Sequence, residues 1–254
     1  MPTADRADHV PGSLVYGPVD SRRFGRSLGV SFSEPGYRAC RWGCPYCQLG
    51  HLGAPPADAG PVPLARLQAE TEHALQAADL TTLDVVTIAG GGEPTDHPAF
   101  ADYVRWLADR LENTGVELVL LTNADGLGDE DKLAALAHVA AAYVKWDPGA
   151  PQGSWSALAR TSRLDRYVLV SAISQLRIQS LLFAREGGMP GNFGDEELRR
   201  WLSDMRRIRP VEIHLTTVDR RPGDAALVAV EPEVLAQWAA ATREALDVPV
   251  RVCS

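Results

Sequence analysis

The chain has 254 residues, of which 45% are hydrophobic, with 33 acidic and 25 basic side chains for a formal net charge of -8. That length and apolar content suffice for one α/β domain over residues 1–254 with a substantial core. The acidic balance disfavours a broad phosphate-binding surface, since non-specific nucleic-acid affinity is built from Lys and Arg that release counterions. Met1 to Ser13 is polar and lacks the apolar run of a signal peptide or anchor, so a cytoplasmic protein without membrane attachment is expected.

In chain order, the first strand is predicted at Leu28–Phe32, followed by a long polar loop and a helix with Leu64, Leu67, Leu75 and Ala78 on one face. Short apolar runs then alternate with amphipathic stretches, the pattern of βα units that build a parallel sheet. Strands are predicted at Val85–Ala89, Leu118–Leu121, Ala142–Lys145, Ile178–Phe183 and Val211–Leu215. Upstream of Ile178 the sequence also reads as strand. The helix after the second strand carries an apolar stripe of Phe100, Tyr103, Val104, Trp106, Leu107 and Leu111. Asp195 is placed to cap a helix bearing Leu198, Trp201, Leu202 and Met205, and Pro232 suits the first position of another. Gly53–Pro63 and Gly187–Gly194 read as surface loops, and no internal repeat of fixed period is evident.

Three of the four cysteines lie within Cys40-Arg41-Trp42-Gly43-Cys44-Pro45-Tyr46-Cys47, too crowded for ordinary disulfide pairing. Thiolates so spaced can wrap an iron–sulfur core, and a cubane with three protein ligands leaves one iron open for another molecule. His51, four residues after Cys47, could instead complete a Cys3His zinc set, which would make the segment a structural knuckle in a non-enzymatic interaction module. Further on, Thr87-Ile88-Ala89 runs into Gly90-Gly91-Gly92-Glu93-Pro94-Thr95. There a strand ends in a turn whose backbone can approach a ligand without Cβ obstruction.

With its C-x3-C-x2-C spacing and an aromatic residue, Tyr46, before the last cysteine, the chain resembles the radical S-adenosylmethionine (SAM) superfamily. Tyr16-Gly17-Pro18-Val19, Ser21-Arg22-Arg23, Gly25 through Val30 and Cys47-Gln48-Leu49-Gly50 look like its short bacterial and archaeal branch often labelled wyosine-related. The resemblance implies a partial (β/α)6 barrel of parallel strands, with residues 1–27 as an N-terminal extension packing near the cluster loop. It also implies a [4Fe-4S] cluster on Cys40, Cys44 and Cys47. In the family, SAM bound at the open iron is reductively cleaved to a 5′-deoxyadenosyl radical that abstracts hydrogen from a substrate.

By the same resemblance, the backbone around Tyr46 faces adenine, and Gly91, Gly92 and Glu93 contact the methionine part of SAM. In parallel barrels, active sites gather at the C-terminal strand ends. Asn123, Lys145, Asp147, Gln179, Arg185, His214 and Thr216 fall at such positions. Among them the resemblance makes Asn123 and Asp147 candidates for the ribose or carboxylate of SAM, and His214 a candidate near adenine or substrate. A reductant such as flavodoxin or ferredoxin is implied as partner. The short barrel points to a macromolecular substrate or a homodimer that covers its side opening.

Within enzymes, transfer RNA base modification and glycyl-radical activation are the alternatives, although the chain shows neither a flavodoxin-like region nor a second set of cluster cysteines. Arg22, Arg23 and Arg26 are expected to pair with nearby carboxylates, Cys253 to be an incidental thiol, and Trp146 and Trp155 to serve packing.

Overall fold

A computed structural model of the protein describes residues 12–149, 160–173 and 175–253. Trp155 and the first part of the expected N-terminal extension lie outside them. The described residues divide into two compact units. The first comprises residues up to Cys40, Gly53–Thr122 and Gly126–Ala142; the second comprises Arg41–Leu52, Asn123–Asp125 and the chain from Tyr143 onward.

The first unit holds β1 (Val15–Ser21), β2 (Gly25–Val30), α1 (Leu64–Ala77), β3 (Val85–Ile88), α2 (Phe100–Leu111), β4 (Glu117–Thr122) and α3 (Glu130–Ala135). Strand β5 (Ala141–Lys145) carries the chain from this unit to the next. The second unit adds α4 (Arg160–Ile173), β6 (Leu176–Leu182), β7 (Ala184–Arg185), α5 (Asp195–Ile208), β8 (Glu212–Thr217), β9 (Leu227–Val228), α6 (Pro232–Ala245) and β10 (Val250–Cys253). Strand order in the main sheet is β1-β2-β3-β4-β5-β6-β8-β10, with β7 and β9 as a separate antiparallel pair.

In the first unit β2, β3 and β4 pair in parallel, in the registers Leu28–Val86–Leu118 and Val30–Ile88–Leu120. Strands β3 and β4 are buried nearly throughout, which explains why they read as continuous apolar runs rather than alternating ones. The stripe predicted for α2 packs against them, with Phe100, Tyr103, Val104 and Leu107 wholly buried. Tyr103 stands edge-on to Phe32 at 4.9 Å, and its hydroxyl meets Thr71 Oγ1 on α1 at 2.5 Å. Burial raises the Tyr103 pKa, keeping the hydroxyl protonated.

Strand β1 was not among the expected elements, because Gly17 and Pro18 break its pattern. It pairs antiparallel with β2 at the sheet edge, where a proline is tolerated. Ser21 Oγ accepts from the Arg23 and Phe24 amides in the connecting turn, and Gly25 takes φ +71° to leave it. The Tyr16 ring lies over Gly29, where a Cβ would come within 2.1 Å of the ring.

The second unit corrects three sequence readings. The strand-like run before β6 is the helix α4, in which Leu164, Tyr167 and Val170 are buried at helical spacing. Gly194, with φ +151°, is the N-cap of α5, and Asp195 is its first helical residue, contributing with Glu196 and Glu197 to an acidic first turn that suits the helix dipole. Strand β10, with two of its four residues exposed, pairs parallel to β8 and carries Cys253 opposite Thr216. Pro232 opens α6 as expected.

The core of this unit is built on indoles. Trp146 donates to Asp204 Oδ2 at 2.9 Å, and Trp201 donates to Ser180 Oγ at 3.0 Å while stacking obliquely on Trp238 at 5.7 Å. The buried N–H groups of Trp146 and Trp201 are thereby satisfied. No helix among the described residues is long and apolar enough to cross a membrane.

Glu70 on α1 anchors the start of β1. Its Oε2 accepts from the Leu14 amide at 2.8 Å and Oε1 from Arg66 at 2.7 Å. Burial would raise this carboxyl, but the Leu14 amide and then Arg66 outweigh it, so its pKa lies below the ordinary value. A depressed carboxylate contributes stability above its unfolded pKa and loses it as pH falls through the folded one. Glu70→Gln is therefore expected to cost about 1 kcal/mol in urea unfolding at neutral pH. The gap from wild type should close in strongly acidic buffer.

Candidate functional site

In the first unit the glycine-rich turn and the chain leading to Cys40 are tied by backbone bonds. Ala39 N–H donates to the Gly91 carbonyl and Glu93 N–H to the Ala39 carbonyl, both at 3.0 Å, so Ala39 and Gly92 form a short parallel bridge beyond the end of β3. A Cβ on Gly92 would lie 2.2 Å from the Ala39 carbonyl oxygen, so this close crossing needs a glycine. Gly90 turns the chain with φ +121°, and the Gly91 amide donates to Ser31 Oγ at 3.1 Å.

The Glu93 side chain is buried and oriented by three donors on Oε1: the Thr95 amide at 3.1 Å, Thr95 Oγ1 at 2.6 Å, and Thr122 Oγ1 at the end of β4. Gly126 closes over this turn, its amide donating to Thr95 Oγ1, and Lys132 Nζ reaches the Thr95 carbonyl at 2.7 Å. Gly91, Gly92 and Glu93 thus form one ordered turn, as the motif predicted. Thr95, Thr122 and Gly126 were not foreseen as its supports, though the Asn123-Ala124-Asp125-Gly126 sequence directly after a strand was a visible turn signal.

The second unit holds the rest of the cysteine loop. Trp42 is buried and donates to Asp125 Oδ2 at 2.6 Å; Asp125 N–H in turn donates to Asn123 Oδ1 at 2.9 Å. Ala124 between them has φ +61°, and Arg166 donates to the carbonyls of Ala124 and Asp125. The Tyr46 hydroxyl donates to Asp147 Oδ2, while Asp147 Oδ1 accepts from the Leu181 amide at 2.7 Å and lies 3.5 Å from Lys145 Nζ. Lys145 also sits over the Tyr46 ring at 4.7 Å. Burial, and then the Asp147 carboxylate, hold the Tyr46 pKa well above its usual value, so the hydroxyl remains a donor.

Tyr46 and Asp147, expected at the site separately, are therefore bonded to one another. Asn123 uses its side-chain oxygen within its own turn, and its carbonyl accepts from Tyr167 Oη at 2.6 Å. His214 is wholly buried on β8, with Nε2 2.9 Å from Glu212 Oε1 and its ring 4.7 Å from Tyr143. Burial alone would raise the Glu212 carboxyl, but His214 and then Arg177 bring it below the ordinary value.

Cys40 belongs to the first unit, and Cys44 and Cys47 to the second. All three are partly exposed and none is in a disulfide, so the donor chemistry fits an iron–sulfur cluster. Among the described residues no three His, Cys, Asp or Glu side chains are grouped so as to hold a metal ion. His51 is exposed in the turn after the cysteines.

No protein-family model matches the chain. It is 37% identical over 111 residues to a "UPF0026 protein" of Helicobacter pylori, an alignment that takes in 43% of the chain and 34% of that protein. It is 28% identical to a "UPF0026 protein" of Synechocystis over 231 residues, 81% of the chain and 76% of the relative. The wyosine-related label is absent from both names. Among solved structures, Streptococcus suis SuiB bound to S-adenosylmethionine superposes with a TM-score of 0.61 at 13% identity, covering 88% of the chain and 49% of SuiB. SuiB bound to its precursor peptide SuiA superposes at 0.63 with 12% identity, covering 91% of the chain and 50% of SuiB. The protein anSMEcpe with bound AdoMet gives 0.52 at 12% identity, over 89% and 61%. The chain spans about a third of the Helicobacter relative and half of SuiB. These structural likenesses establish the fold, the α/β partial barrel of mostly parallel strands expected from the sequence.

The two glycines of the turn should differ in tolerance. A Cβ at Gly91 would stand 3.1 Å from Ser33 Cβ, a contact that relaxes with a small shift, whereas at Gly92 it would meet backbone at 2.2 Å. Gly92→Ala is expected to cost about 1–3 kcal/mol in thermal or urea unfolding, and Gly91→Ala distinctly less. Equal costs would show that the Ala39 crossing does not constrain the turn.

Proposed function

We propose that the chain is a radical SAM enzyme, with Cys40, Cys44 and Cys47 holding a [4Fe-4S] cluster and Gly91, Gly92 and Glu93 contacting bound SAM. The observation that carries this reading is the pairing of Ala39 with Gly91 and Glu93. It fixes the residue before the first cysteine against the glycine-rich turn, so the start of one motif that carries the family resemblance is tied to the other. The fold shared with structures that hold S-adenosylmethionine supports it.

When bound, the cluster would supply the electron for reductive cleavage of SAM, and thereby hydrogen abstraction from an organic substrate. The protein's own residues have positioning work to do. Thr95 and Thr122 orient the Glu93 carboxylate, which serves in this reading as acceptor for the SAM ammonium group. Asp147 holds the Tyr46 hydroxyl and Asp125 holds the Trp42 indole, so both aromatic residues of the cysteine loop are fixed by carboxylates from outside it. Asn123, Asp147 and His214 keep the roles toward SAM or substrate that the resemblance assigns, with their intramolecular bonds setting their orientation.

The test is anaerobic reconstitution with iron and sulfide, reduction with dithionite, addition of SAM and measurement of 5′-deoxyadenosine. Wild type is expected to form it, and Cys44→Ala to fall to background. Stoichiometric zinc with no cluster spectrum and no product would replace this reading with that of a structural knuckle.

A further inference from the structure

Between Thr217, the last residue of β8, and Val230 the chain makes a closed excursion over the surface of the second unit. Thr217 Oγ1 accepts from the Val230 amide at 2.8 Å and donates to the Leu182 carbonyl at 2.9 Å, which ties both ends of residues 218–229 together. Midway, the excursion crosses the cysteine loop at backbone contact. A Cβ on Gly223 would lie 2.9 Å from both the Cys47 carbonyl oxygen and Gly50 Cα, and one on Gly50 would lie 2.9 Å from Gly223 Cα. Neither glycine has a positive φ, so the closeness of the crossing, not a turn, is what calls for them. The Asp224 amide then donates to the Pro45 carbonyl at 2.9 Å. Nothing in the reading of SAM binding uses this segment.

The limb that returns to α6 is firmly seated. Leu227 is buried, β9 pairs with β7, and the Glu186 amide donates to the Ala226 carbonyl at 2.9 Å. The crossing itself is held more lightly. Asp224 Oδ1 caps the Ala226 amide at 3.1 Å, and Oδ2 accepts from Arg185 Nη1 at 2.8 Å. The side chains of that ion pair are 31% and 36% exposed, so it contributes little stability and is screened by salt. In the cysteine loop, Trp42 and Tyr46 are held through their side chains, whereas this excursion bears on the backbone of Pro45, Cys47 and Gly50. Those residues are otherwise linked by short turns, the Cys47 amide donating to Cys44 and the Gly50 amide to Cys47.

We propose that residues 218–229 are a strap that fixes the Pro45–Gly50 half of the cysteine loop, with the Arg185–Asp224 pair as its latch, and that opening of the strap governs how long Cys47 retains metal. The holding of the loop concerns this chain alone; the retention of metal rests on the radical SAM reading. A segment with a buried anchor at one limb and a lightly held crossing opens locally, without unfolding the unit beneath it. Gly223, Asp224 and Arg185 are in this sense positioning residues, acting on the metal site through the backbone of the loop.

The experiment alkylates the metal-free protein anaerobically with iodoacetamide and follows Cys47 by peptide mass spectrometry, with Cys253 on β10 as the reference thiol. Asp224→Asn keeps an oxygen for the Ala226 amide but loses the charge, and Gly223→Ala forces the crossing apart. Cys47 is expected to react about threefold faster in the first and about tenfold faster in the second, with the rate at Cys253 unchanged. Salt at about 1 M should bring wild type toward Asp224→Asn and leave that variant where it is. Reconstituted proteins given an iron chelator are expected to lose iron in the same order. Equal Cys47 rates in all three proteins would overturn the proposal, as would parallel acceleration of both thiols, which would mark general loosening. Faster alkylation with unchanged iron loss would remove the strap's role in metal retention. Failure of wild type to take up a cluster would instead sink the radical SAM reading, a result separable from alkylation, which needs no metal.

Discussion

The candidate site depends on one backbone crossing, where Ala39 lies between Gly91 and Glu93. Two peptide bonds that neighbour each other in space but stand about fifty residues apart in sequence exchange hydrogen bonds there, and the third glycine of the turn exists to let them meet. Much of the first unit's arrangement follows from that contact. The parallel strands β2 and β3 bring residue 31 beside residue 90, Ser31 fixes the Gly91 amide, and the turn then directs Glu93 toward the end of β4. A parallel sheet supplies this geometry because neighbouring strands end on the same side, so loops that leave them are neighbours as well.

In the second unit the cysteine loop is held at four of its residues by contacts from other segments. Trp42, Tyr46, Pro45 and Gly50 each have a partner in another segment, respectively Asp125, Asp147, Asp224 and Gly223. The loop is rich in special residues because each of these four fills a particular contact.

How much of this was legible from sequence depends on whether the signal was local. Six of the main-sheet strands were located, because strands buried on both faces give continuous apolar runs, and the cysteine and glycine motifs announced themselves by spacing alone. Strand β1 was hidden by Gly17 and Pro18, which are tolerable only because the strand lies at an edge. The α4 run, Tyr167-Val168-Leu169-Val170, has β-branched composition, and only its burial at every third residue reveals the helix. The pairs Tyr46–Asp147, Trp42–Asp125 and Gly50–Gly223 join residues 80 or more positions apart, with nothing in either local sequence to name its partner. His214 shows the same limit: a histidine late in a strand reads as a site residue, whereas its burial and its partner Glu212 emerge only from the folded strand.

The indole core of the second unit gives the protein an optical asymmetry. Of the five tryptophans among the described residues, Trp42, Trp146, Trp201 and Trp238 belong to that unit and are buried, while Trp106 alone belongs to the first. Intrinsic fluorescence will therefore report mainly on the half that carries Cys44 and Cys47, and will be comparatively blind to the half that carries the glycine-rich turn. Melting curves followed by emission and by far-ultraviolet circular dichroism should coincide only when the two units lose structure together.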